Sequence, residues 1–460
     1  MATAVLSASD LATAGGSINL STRLRRLAER AALSNPFDTP PLVVPPDYAN
    51  STALLQGHVV KSGGNMFMTV TAGTTASSGT PSTANGDANT NGTAALAFMG
   101  PIPRTADDPS APTVTFVTSN PALGVVWDPV GNPTLYRALG ATPQAYRTSL
   151  WELRSFVPAA SAATVCRSAV IQTIVDDFKF AVSIPSNSQS VRIAIDGQFY
   201  SVSSWNPGGS DSWAVFDYTG KAAKKHRLVS VYTNKSTSYF GGVQTTTAGQ
   251  IHTPPVSDTI RMVECADSLG AGAGPGPWGA GNAPAVAFGS MIGVEDVWVL
   301  STGSTGDIAN ATNTAYNYAE RVPQIIALAP HIIWIPTSTN DLVSTTSAVT
   351  AARVATLQAL RAGLPNAIIV NEGIWPVLNG GNTAAVTALE NAVKAAHDTV
   401  VDARMFWVPR ATETPPWITS NNRGWNIAAD GIHPPDAGSL YIARQRALAW
   451  RRYVLPFLQG

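Results

Sequence analysis

At 460 residues the chain is too long for one ordinary core, so two or three domains are expected. Only 13% of its residues are charged, and 29 Lys plus Arg balance 29 Asp plus Glu, which leaves no electrostatic pull toward nucleic acid or an acidic membrane. Abundant Thr, Ser, Gly and Pro favour strands and tight turns, while the two cysteines, Cys166 and Cys265, exclude a disulfide scaffold and a Cys-based zinc site and read as buried free thiols.

Met1 to Thr13 has neither a basic segment nor a long apolar one, so no secretory signal is expected. No apolar run reaches the eighteen or so residues of a membrane span, and a soluble chain without membrane insertion is expected. Residues 1–45 read as an arm: a basic cluster, "RLRRLAER", followed by "NPFDTPPLVVPP", whose prolines end any helix and act as a stiff spacer.

Residues 46–103 contain short β-prone runs separated by Gly and Asn, the pattern of a small all-β module. With Gly64–Asn65, Ala72–Thr74 and Asn91–Thr93 as landmarks, this stretch resembles small β-modules of bacteriophage tail-fibre proteins, with Leu96 where those modules often carry Trp. The resemblance implies a virion-associated or extracellular setting, with other virion tail proteins as partners.

Residues 113–256 read again as β. In "SVRIAIDGQFYS", Val191, Ile193 and Ile195 alternate with Arg192 and Ala194 before an Asp196–Gly197 turn. Similar runs at short spacing predict a sandwich or jelly roll.

From residue 257 the pattern changes. "TIRMVECADS", "EDVWVL", "HIIWIPTS", "NAIIV" and "RMFWVP" are short apolar strands, and each of the first four precedes a stretch of helical character. In the clearest helix Val349, Ala352, Leu357 and Leu360 share one face, and Gly363 and Pro365 provide the stop. Alternating strands and helices predict a doubly wound α/β domain over 257–460, with a parallel sheet whose ligands bind beyond the carboxyl ends of its strands.

Those strand ends carry chemistry-bearing residues. Asp267–Ser268 follows the first strand, Gly306 the second and Asn340 the third, while Asp430 and His433 precede a final amphipathic helix. Each is ordinary alone, since Ser and Asp cap helices and Gly and Asn populate turns.

In this order they resemble the SGNH, or GDSL-type, esterase and lipase family. Its blocks stand here as Ala266–Asp267–Ser268, Ser304–Thr305–Gly306–Asp307, Ser338–Thr339–Asn340–Asp341 and Asp430–Gly431–Ile432–His433, with Ala266 and Ser338 replacing two glycines. The resemblance implies a flavodoxin-like SGNH hydrolase domain after the all-β regions, and a cofactor-free serine esterase. Ser268 would be the nucleophile, His433 its general base, Asp430 the residue orienting the imidazole, and Ser268, Gly306 and Asn340 the oxyanion hole. A jelly-roll-like domain before an SGNH domain implies deacetylation of an acetylated polysaccharide. A non-catalytic virion structural or receptor-binding protein keeping the fold, or an acyltransferase, would carry the same residues.

The remaining motifs read as structural. His58, His226, His252, His331 and His397 form no metal-spaced pair in sequence, and no metal is expected. Asp307 and Asp341 read as turn and backbone-bonding residues. The Gly-rich stretch 270–281 reads as a wall of the acyl or sugar site, and Trp278, Trp417 and Trp425 as either sugar-stacking or packing residues.

Overall fold

A computed structural model describes Leu24 and residues 47–458, except 55–58, 72, 82–88, 102–109, 155–165, 186–189, 201–204, 206–210, 222–225, 236–237, 256–259, 273–282, 311–315, 376–382, 420–425 and 429. The arm expected over 1–45 falls outside these apart from Leu24, which is helical and packs in the same apolar cluster as the α/β unit.

Residues 59–101 form a four-stranded antiparallel sheet in the order Val59–Ser62, Asn65–Thr71, Ala94–Pro101, Asn89–Asn91. Gly63 and Gly64 take φ of 55° and 78°, which closes the first hairpin in two residues. Leu96 is buried beside Val60 and Phe67, so it fills this module's core.

The described residues of 113–252 form two large antiparallel sheets packed on a shared core, with a smaller three-stranded sheet, Thr142–Arg147, Leu150–Arg154 and Ser238–Phe240, beside them. One large sheet has five strands, with Lys179–Ile184 at its centre; the other has six and includes Cys166–Asp176, Ser190–Ile195, His226–Lys235 and Gln250–His252. Val191, Ile193 and Ile195 point inward against Val182, Ile184 and Phe216, as their alternation predicts. Asp196 and Gly197 both have positive φ and turn the chain.

The other face of the six-stranded sheet is not a wet face. Leu139, Val170, Ala194, Phe199 and Tyr232 are buried there in one cluster with the α/β unit. The Gly140 N–H donates to Asp296 Oδ1 at 3.0 Å across this contact. A Cβ on Gly140 would lie 2.3 Å from the Val297 carbonyl oxygen, so glycine is required for this close approach.

The α/β unit holds five parallel strands: β1 (Arg261–Glu264), β2 (Asp296–Val299), β3 (Ile332–Thr337), β4 (Ile368–Ile374) and β5 (Met405–Val408). Their order is β2-β1-β3-β4-β5. Successive residues point to opposite faces: Met262, Val297, Ile332 and Trp334 pack with helices α1 (Pro284–Met291) and α5 (Asp436–Ala449), while Val263, Trp298, Ile333 and Ile335 pack with α2 (Tyr318–Ala327) and α3 (Thr346–Gly363). Helix α4 (Ala384–Thr399) pairs with α3. Side chains start the middle helices: Asn317 forms a reciprocal capping box with Glu320, and Thr345 and Thr383 cap α3 and α4.

Candidate active site

The order reverses at β1, whose neighbours β2 and β3 both follow it in sequence, and this is where an open parallel sheet leaves a crevice beyond its strands' carboxyl ends. Three loops meet there: 265–270 after β1, 301–309 after β2 and 338–341 after β3. Buried side chains hold them. Arg321, on α2, donates to the carbonyls of Ala266 and Leu300 at 2.5 and 2.9 Å and to the Thr305 hydroxyl, tying the first loop to the second. Arg353, on α3, forms a two-pronged ion pair with Asp307 at 2.7 and 2.8 Å, both side chains wholly buried. Asp307 is thus an ion-pair partner as well as a turn residue. Asp341 accepts the N–H groups of Asp307, Ile308 and Ala309 at 2.7–3.1 Å, the backbone-bonding role expected of it.

Asp267 is buried. Its carboxylate accepts the Leu269 N–H at 2.9 Å and the Ser338 hydroxyl at 2.7 Å. Burial pushes this carboxyl up from its ordinary range, against the opposing pull of those two hydrogen bonds. Ser268 is thereby held at the start of a short turn with its Oγ toward His433.

His433 arrives from the far end of the chain. Gly431 takes φ of 72°, and Asp430 Oδ1 accepts the N–H groups of Ile432 and His433 at 2.9 and 3.0 Å, folding residues 430–433 into a tight turn. Asp430 Oδ2 lies 2.8 Å from His433 Nδ1, and His433 Nε2 lies 2.9 Å from Ser268 Oγ. Nδ1–H therefore donates to the carboxylate, leaving Nε2 to accept the Ser268 hydroxyl proton. Partial burial works to raise the Asp430 carboxyl, but the Ile432 N–H and the His433 ring and N–H outweigh it and hold it below the usual carboxylate range. Ser268, His433 and Asp430 are thus brought together in the chain of contacts their sequence positions implied.

The two remaining oxyanion candidates sit differently. The Gly306 N–H donates to the Ala309 carbonyl at 2.9 Å, so it is turned into its own loop. Glycine is needed there because a Cβ would lie 2.3 Å from Asp341 Oδ2. The Asn340 amide donates to the Thr305 carbonyl at 3.0 Å and to the Ser338 hydroxyl at 3.1 Å, which occupies both its hydrogens. Ser338 stands where the SGNH pattern has glycine, and its hydroxyl is the added acceptor.

Sequence reading missed Gly303. A Cβ there would lie 3.7 Å from Ser268 Cβ, so its backbone runs directly past Ser268. Among the described residues neither the Ser268 N–H nor the Gly303 N–H has an acceptor within the chain. The only available signal was a second glycine in "STGSTG", three residues before the one chosen.

Other expectations resolve individually. Cys265 is a buried free thiol, and the Cys166 side chain lies outside the described residues. Trp417 is buried under the Arg410 guanidinium, which makes it a packing residue, while Trp278, Trp425 and His58 lie outside the described residues. His331 accepts the Arg261 N–H and His397 lies 3.2 Å from the Asn371 amide, both structural contacts. His226 and His252, which are far apart in sequence, come together beside Asp176 because neighbouring strands join them.

No protein-family profile matches this chain, and neither does any curated protein. Among solved structures, the chain is similar to a family two carbohydrate esterase from Clostridium thermocellum in complex with cellohexaose, at TM-score 0.51 and 12% identity over 69% of this chain and 98% of that one. It is also similar to a salicylyl-acyltransferase from a tetracycline biosynthetic pathway, at TM-score 0.52 and 15% identity over 71% and 96% of the two chains. A third is a GDSL-like lipase from Bacteroides ovatus, described as putative, at TM-score 0.50 and 14% identity over 74% and 98%. At such identities the likeness bears on the fold, and the structural neighbours of this chain include family two carbohydrate esterases and a GDSL-like lipase.

Proposed function

We propose that this chain is a metal-independent serine esterase of the SGNH type, with a flavodoxin-like catalytic domain behind a jelly-roll-like one, which removes acetyl groups from a polysaccharide. The observation that carries the reading is the 2.9 Å approach of His433 Nε2 to Ser268 Oγ, with Asp430 2.8 Å behind the ring. His433 takes the Ser268 proton as Oγ attacks the ester carbonyl, then gives it to the departing sugar hydroxyl. Water repeats the sequence on the acyl-enzyme and releases acetate. Asp430 fixes the tautomer and stabilises the imidazolium. The N–H groups of Ser268 and Gly303 are the oxyanion donors we assign, and Asn340 joins them by giving up its bond to Ser338.

A polysaccharide as substrate is supported by the cellohexaose bound to one structural neighbour, a family two carbohydrate esterase. The extracellular, tail-associated setting rests on the tail-fibre likeness of residues 46–103 alone. Incubation with acetylated surface polysaccharide, with released acetate measured beside the Ser268→Ala variant, tests the function. Release by the native protein alone supports it; equal release by both removes Ser268. Because one structural neighbour is an acyltransferase, the same products are screened for acyl groups moved to a second sugar.

A further inference from the structure

We infer that the β-sandwich carries a divalent transition-metal site formed by Asp176, His226 and His252, independent of the esterase reading. Asp176 ends the strand Cys166–Asp176, which lies between the strands His226–Lys235 and Gln250–His252 in the six-stranded sheet. His226 stands directly opposite Asp176, and His252 opposite Ile174, two residues back on the same face. Ile171 and Val175 point into the sandwich, so residues 174 and 176 point away from it.

One donor atom from each of the three side chains falls within 4.8 Å of the others, and His252 Nε2 is 4.0 Å from Asp176 Oδ2. The two imidazole rings lie 5.5 Å apart at 33°. Ligand atoms around a tetrahedral ion at about 2.0–2.2 Å stand roughly 3.3 Å apart, so closure needs side-chain rotation of about an ångström and no backbone movement. Asp176 and His252 are half-buried, which limits their search, while His226 is exposed and leaves a route of entry. Two imidazoles and one carboxylate suit zinc, cobalt, nickel or copper, and not calcium or magnesium, which take all-oxygen shells. Three protein ligands leave at least one position for water. A bound ion would staple the short last strand, Gln250–His252, to the sheet just before the chain crosses to β1.

The test uses the full-length protein without a histidine tag, with cobalt(II) as an optical probe and zinc(II) as competitor. Saturation at one cobalt per chain with ligand-field bands of imidazole coordination, displaced by zinc, is expected. His226→Ala and His252→Ala should each weaken binding at least tenfold, and the double variant should abolish it. Zinc should raise the melting temperature of the native protein and leave that of the double variant unmoved. Ser268→Ala should bind cobalt like the native chain, and the double variant should keep its small-ester turnover. Absence of saturable binding, or native-like stoichiometry in a double variant with an unchanged circular dichroism spectrum, would overturn the site.

Discussion

Ser338→Ala is the substitution that most directly separates the two tasks of the loop contacts. The hydroxyl lies 2.7 Å from Asp267 Oδ2 and 2.7 Å from the Thr305 carbonyl, and it accepts the Asn340 backbone and side-chain N–H groups, both at 3.1 Å. With one proton to donate, it serves Asp267 or Thr305 at a time. Its loss leaves the buried Asp267 carboxylate with the Leu269 N–H alone. A hydrogen bond to a charged group is worth about 1.5–3 kcal/mol. For a unit of ~200 residues each kcal/mol shifts the melting temperature by about 2–4 °C, so a fall of roughly 3–12 °C is expected. The pH dependence has a definite sign. Asp267 already titrates above its unfolded value, so its native state holds the proton more tightly and the burden on stability grows as pH rises from the unfolded value through the raised one. Removing Ser338 raises it further, and the deficit should therefore grow as pH rises from the ordinary carboxylate range through the raised one. Turnover on a small chromogenic acetate should hold or rise, because an Asn340 hydrogen is released toward the oxyanion. Calorimetry across pH beside steady-state kinetics provides the assay. An unchanged melting temperature, or a hundredfold loss of turnover at native stability, would refute the reasoning.

Asn340→Ala in the native background should cost less than the roughly 10²–10³ in turnover of a full oxyanion donor, and more in the Ser338→Ala background; equal costs in both would show that Ser338 does not compete for the amide. Asp430→Asn should lower kcat by roughly 10²–10⁴, and because the native carboxyl is held below its ordinary range, the acid limb of the native profile above pH ~4 should belong to another group. An acid limb that disappears in Asp430→Asn would contradict this. Gly140→Val meets the Val297 carbonyl at a φ of 69° and should cost at least about 1–3 kcal/mol while exposing the boundary between sandwich and α/β unit to limited proteolysis; native-like melting would show that the contact is dispensable.

What the sequence disclosed follows its periodicities. The Val349 and Leu360 face of α3 repeats every three to four residues, the five parallel strands are unbroken apolar runs and Asp196–Gly197 is a turn dipeptide, and local rules suffice for all three. Ser268 and His433 were legible through their order along the chain. Arg353 was not: it lies wholly buried beside Leu357 and Leu360 on what reads as an apolar face, because its partner Asp307 comes from a loop 46 residues earlier. Gly306 stands in the oxyanion hole that the resemblance implies, whereas in the structure it makes room for Asp341 and its N–H bonds the Ala309 carbonyl. The docked face of the six-stranded sheet is hard to locate in sequence because Val170, Ala194 and Tyr232 are spread over three strands and acquire meaning only when the α/β unit packs on them. An isolated fragment 257–460 would expose that apolar contact.

Behind His433, helix α5 carries Arg446, whose guanidinium binds Glu264 of β1 at 2.7 Å and Glu372 of β4 at 2.7 Å, with Arg410 also on Glu372 at 2.7 Å. All four side chains are buried, and Arg410 and Arg446 hold the Glu372 carboxyl below its ordinary range despite burial. During synthesis the sheet emerges from the ribosome before α5 does. Until that helix docks, Glu264 lacks its cation and Glu372 keeps only Arg410, and a carboxylate buried without its partner costs several kcal/mol. Helix α5 begins shortly after His433, so the docking that neutralises them also sets that imidazole beside Ser268. Docking of α5 thus completes the buried ion-pair network and, on the esterase reading proposed above, the Ser268–His433 contact in the same step.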